Sequence, residues 1–182
     1  MQPAKSRKTW NSFVDSIAMK RLALSLLLGL MALEAFGAPP ARTGITLPPE
    51  IREQFLMNMR DHLSAISEIQ AALAKGRFHQ AADIAKDRIG LGASSSEACR
   101  MSGMAMHKEA SPNPLTDNRA LSEFMPESMH KIGFGMHAAA DQFAQDARKA
   151  AKTGDYRMAI ASLSRVTTQC IACHARFKLN SR

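Results

Sequence analysis

Aromatic side chains are scarce in this chain, at 5% of 182 residues, with one Trp and one Tyr. A sandwich or barrel built on aromatic and β-branched residues is therefore not expected, and the Ala, Leu and Met content favours helices. Cysteine is also sparse: three unevenly spaced residues are too few for a disulfide framework. No run of about 18 or more apolar residues occurs, so no permanent membrane span is expected. Paired carboxylates, a Ser/His/Asp set and a Gly-rich phosphate loop do not stand out. Hydrolysis and phosphoryl transfer thus find no support, and the chain is not expected to be an enzyme. Acidic residues are the minority, 16 against 24 Lys plus Arg, for a net charge of +8. No basic stripe with interleaved aromatics accompanies that excess, so nucleic acid is not an expected partner.

What is present begins with a targeting segment. Lys20-Arg21 precede the apolar run LALSLLLGLMAL at 22–33, and small residues follow at Ala35, Gly37 and Ala38. This is the layout of a secretory signal peptide cleaved after Gly37 or Ala38. An uncleaved N-terminal anchor is the alternative, but the run is short for a span. Residues 1–18, which hold Trp10, make an unusually long lead, and Met19 is the better start. Removing residues 1–37 takes away five basic and two acidic residues, which leaves 19 against 14, or +5. The expected compartment is oxidising and exported, most simply a bacterial periplasm.

Three segments are thus expected: extension and signal at 1–37, an extended Pro-rich lead-in at 38–49, and a helical domain at 50–182. Helix A is predicted over 50–75, with the stripe Ile51, Phe55, Met59, Leu63, Ile66, Ile69 or Gln70, and Leu73. Helix B is predicted over 78–89. Residues 90–125 are a poor helix candidate, with a short helix at most around Glu97–His107. Helix C is predicted from Pro126-Glu127 to Thr153, with the stripe Met129, Ile132, Met136, Ala140, Phe143, Ala147 and Ala150. Helix D is predicted from an Asp155 N-cap to about Leu179, through Tyr156, Ile160, Leu163, Val166, Cys170, Cys173 or His174, and Phe177. Lys75-Gly76-Arg77-Phe78 then Ala81 echoes Gly154-Asp155-Tyr156 then Ala159. Two helix–Gly–aromatic–helix turns predict two hairpins, hence an all-α antiparallel four-helix bundle.

Cys170-Ile171-Ala172-Cys173-His174 is a C-x-x-C-H motif, the attachment signature of c-type haem. On a helix, spacings of three and four put both thiols and the imidazole on one face. The thiols would form thioethers to the haem vinyl groups while His174 meets the iron. A thioredoxin-like pair would instead open a helix after a strand. A structural zinc site would need a second ligand pair, which the sequence lacks.

With its only C-x-x-C-H in the last helix of an exported four-helix chain, the sequence resembles the class II cytochromes c, the cytochrome c prime and cytochrome c-556 group. The resemblance covers about residues 50–180 and rests on CIACHARF at 170–177 and ALAKGRFHQAADIA at 72–85. Residues 90–137 depart from the family pattern, as in a distinct branch. The resemblance implies one covalent haem c between the helices, held by Cys170 and Cys173 with His174 as proximal ligand. Arg176 and Lys178 would lie near the haem edge or be ordinary solvated charges. One-electron transfer with redox partner proteins is the implied role, and a homodimer is a further expectation. An open distal site would instead bind nitric oxide or carbon monoxide.

The family's distal position is on helix A and falls on Arg60, which cannot ligate while charged. Met59, one residue earlier on the apolar stripe, is the first candidate for the sixth ligand. His62, on much the same face, is the second. A thioether ligand would raise the haem potential. Periplasmic copper binding is a reading of a different class. It rests on Met106-His107, Met129-His130 and Met136-His137, with Met101, Met104 and Cys99 nearby, as soft donors for Cu(I). Filling of irregular core space is the alternative role of the Met residues.

Overall fold

The backbone is mostly helical over residues 41–99 and 118–181, which the computed structural model describes. Helix α1 runs over Pro49–Ala74, α2 over Phe78–Arg88, α3 over Asn118–Ser122, α4 over Glu127–Thr153 and α5 over Arg157–Arg176. A 3-10 helix spans Ser94–Cys99. Strands β1 (Thr43–Ile45) and β2 (Phe177–Leu179) complete the described residues. The expected signal peptide with Trp10, and Met101, Met104, Met106 and His107, lie outside them. Among the described residues no helix is long and apolar enough to cross a membrane.

Local chemistry accounts for the helix ends. Pro49 opens α1, where a missing N–H costs nothing, and Glu50 complements the positive end. Gly76 and Gly154 follow α1 and α4 at φ 67° and 75°, the left-handed backbone that a side chain resists. The two echoed turns thus share a left-handed glycine, and Ala81 and Ala159 beyond them are both fully buried. Phe78 and Tyr156, their aromatics, line one groove together.

Close backbone packing joins α1 to α2, α2 to α4, and α4 to α5. A core of small residues lets the helices approach: Ala65, Ala81, Ala82, Ala140, Ala147 and Ala159 around Phe143 and Ile69. Ion pairs from Arg88 to Asp61 and Glu68, and from Arg148 to Asp83, cross the outer seams. Buried Asp146 on α4 accepts hydrogen bonds from Ser162 on α5 and from Gln142. Asp146→Ala removes this link between α4 and α5, while the Ser162 hydroxyl keeps the Met158 carbonyl at 2.9 Å. A loss of about 1–3 kcal/mol in unfolding free energy is expected by denaturant titration; an unchanged midpoint would contradict that role.

Three expectations need correction. Helix D ends at Arg176 rather than near Leu179, because Phe177–Leu179 pairs in parallel with Thr43–Ile45 of the lead-in. Asp155 is not the N-cap residue of α5; Tyr156 is, although the Asp155 carboxylate still accepts from the Arg157 N–H. Tyr156 and Ile160, placed on the buried stripe of helix D, are exposed, and Ala159 and Ser162 take the inner positions.

Candidate functional site

The buried face of α1 follows its apolar stripe only in part, at Ile69. Gln54, Asn58, His62, Ala65, Ile69 and Ala72 are buried. The stripe residues Phe55, Met59, Leu63 and Ile66 instead line a cavity of about 380 Å³. Leu63 is 72% exposed there. The polar residues of the inner face are linked in an amide cluster, although Gln54 Oε1 has no partner. Gln54 Nε2 donates to Asn58 Oδ1 (3.1 Å), Asn58 Nδ2 to Asn118 Oδ1 (2.6 Å), and Asn118 Nδ2 to the Ser94 carbonyl (3.1 Å). These bonds hold α3 and the 3-10 helix against α1, which closes one side of the cavity.

The opposite wall is the end of α5. Cys170, Cys173 and His174 all line the cavity, as their helical spacing requires. Both thiols are half-buried, and burial raises their pKa values. Cys170 Sγ lies 3.7 Å from Met136 Sδ. Met129, Met136 and His137 enter from α4, and Ser95 and Cys99 from the 3-10 helix. Among the described wall residues the only Lys, Arg, Asp or Glu is Arg60. Arg176 is exposed and is not part of the wall.

Cys99, the odd thiol, is buried, and its pKa is pushed up to about 12 by burial and then by Cys173. It packs so close to Gly133 that a Cβ there would meet its sulfur. This accounts for a glycine inside a helix, where it costs about 1 kcal/mol against Ala.

Two imidazoles sit deep in the wall. The His137 ring is fully buried and donates its Nδ1–H to the Ile89 carbonyl. That bond leaves the lone pair of the neutral ring on Nε2. The His62 ring meets it edge-on, with centroids 5.6 Å apart and planes at 77°. His62 Nε2 lies 2.9 Å from Ser95 Oγ, whereas its buried Nδ1 has no hydrogen-bond partner. An unmet buried nitrogen costs about 1–3 kcal/mol. Burial, and then the neighbouring His137, lower the His62 pKa from 6.5 to about 4.

The unfolded ring binds a proton near 6.5 and the folded ring only near 4. Acidification through that window favours the unfolded chain, by up to about tenfold in the folded-to-unfolded ratio per pH unit. Denaturant titrations of the ligand-free chain should follow this slope, and His62→Asn should flatten it. An equal slope in the variant would contradict the assignment.

The cavity therefore brings together Met59, His62, Cys170, Cys173 and His174, and leaves Arg176 apart. His130 also stays outside its wall and bonds instead to the Ser122 carbonyl at 3.1 Å. His130 and His137, which share a helical face by spacing, thus do not meet at this cavity. Among the described residues no three His, Cys, Asp or Glu side chains converge as a metal cluster. Ser95 and the amide cluster were not anticipated, and short polar residues in an irregular segment carry no periodic signal.

The donor set fits a haem. Two thiols and an imidazole share one helix face, apolar and thioether side chains oppose them, and an unmet imidazole nitrogen belongs to the same wall. No family model, curated protein or solved structure matches this chain.

Proposed function

We propose that this chain is an exported mono-haem c-type cytochrome, an antiparallel four-helix bundle that transfers single electrons and catalyses no reaction of its own. The observation that carries the reading is the cavity lined by the first turns of the apolar stripe of α1. A soluble helix normally turns its apolar stripe into the protein. Here Phe55, Met59, Leu63 and Ile66 face a cavity whose far wall carries the C-x-x-C-H motif. An apolar group held covalently by Cys170 and Cys173 gives both walls a partner.

When bound, the haem supplies the Fe(II)/Fe(III) couple. The chain's own residues anchor, orient and enclose it. Cys170 and Cys173 hold it through thioethers, and His174 is the proximal donor. The near absence of charge in the wall limits water access and sets the polarity around the iron. The charge excess of +5 in the processed chain would steer it toward acidic redox partners. Binding of a small gas at an open iron is the competing haem role. The presence of both Met59 and His62 in the wall favours a filled sixth position.

Absorption and electron paramagnetic resonance spectra of the purified protein, with and without carbon monoxide, test the role. A low-spin spectrum that carbon monoxide does not change is expected. A high-spin spectrum that shifts on adding the gas would assign the protein to gas binding.

A further inference from the structure

We propose that His62, rather than Met59, supplies the sixth iron ligand, and that Ser95 and His137 are the positioning residues that hold it. The inference rests on the haem reading above. Three observations carry it. His62 is 93% buried, at 7% exposure, and belongs to the wall that faces the C-x-x-C-H helix. Its Nε2 is held by Ser95 Oγ at 2.9 Å, and its Nδ1 has no hydrogen-bond partner. One ring nitrogen engaged by a fixed polar group, with the other left for the metal, is how ligating histidines are oriented. Lastly, the ring is braced edge-on by His137, which is itself tied to the Ile89 carbonyl. Met59 has none of these supports. It is half-buried, and a thioether leaves no unmet hydrogen-bonding group when it is not a ligand.

Ser95, His62, His137 and Ile89 come from four different segments, so the bracing depends on the folded domain as a whole. It makes His62 a rigid donor, whereas Met59 is an unbranched side chain with three rotatable bonds. A rigid donor on one wall and His174 on the other gives bis-imidazole ligation.

The test uses the haem-loaded protein. Covalent haem is first measured on a denaturing gel; its absence from the wild type overturns both the haem reading and this inference. With haem present, the ferric spectrum of the wild type should be low-spin and should lack the charge-transfer absorption of sulfur-ligated iron. His62→Ala should become high-spin, and added imidazole should restore the low-spin signal. Met59→Ala should remain low-spin. Ser95→Ala should broaden the low-spin signal, and Ser95→Thr, which keeps the hydroxyl, should sharpen it again. A low-spin His62→Ala, a high-spin Met59→Ala, a sulfur band, or a high-spin wild type would each overturn the inference while leaving covalent haem in place. The wild-type spectrum decides the donor atom even if a variant fails to fold.

Discussion

Replacing Cys170 and Cys173 together by alanine abolishes haem retention after denaturation, while the helical circular dichroism of the domain survives. Both thiols are half-buried, so their loss removes little packing, and neither forms a disulfide. The fold itself is held elsewhere, by the alanine-lined core around Phe143 and by the polar cluster at Asp146. The expected effect is all-or-none on a haem-stained denaturing gel. Single replacements should leave one thioether and a weaker band. Equal staining of the double variant and the wild type would mean that the attachment lies at other residues.

Phe143→Ala should be the most damaging core substitution. Phe143 is fully buried and is the largest such side chain in a core otherwise made mostly of alanines. Backbones brought close by small neighbours have little freedom to collapse into the space that the ring leaves. The loss should be about 3–5 kcal/mol, at the upper end for aromatic-to-alanine changes. In denaturant titration the midpoint should fall with the slope unchanged. A loss below about 1 kcal/mol would show that the core repacks, contrary to the close helix spacing described above.

The helices were legible because their signals are local. Pro49, Gly76, Gly90 and Gly154 bound α1, α2 and α4 to within a residue or two of the expected ends. The stripe of α4 is buried nearly as written, because one face of that helix meets both α2 and α5. The stripe of α1 is legible as a stripe, but its surroundings are not. Periodicity reports that Phe55, Met59, Leu63 and Ile66 share a face; it cannot tell a packed core from a cavity wall. Gln54, Asn58 and His62 are also buried, and their partners Asn118 and Ser95 are distant in sequence. The parallel strand pair joins Thr43–Ile45 to Phe177–Leu179 across more than 130 residues. A three-residue strand has no pattern of its own to announce it.

At the site, the side chains of the C-x-x-C-H motif were legible from spacing alone, since three- and four-residue steps on a helix leave no choice of face. Met59 and His62 both line the cavity. Their different supports were not visible, because Ser95 and His137 reach His62 only through the tertiary fold. His137 was noted in the sequence as a soft donor beside Met136. Its bond to the Ile89 carbonyl gives it another use, as the brace of a neighbouring ring.

The central claim is that one haem is covalently bound through Cys170 and Cys173. The intact mass of the protein exported from haem-replete cells tests it most directly. The account predicts a chain beginning near residue 38 whose mass includes a single haem that denaturation does not remove. A chain of unmodified mass, with both thiols free to alkylate, would contradict it.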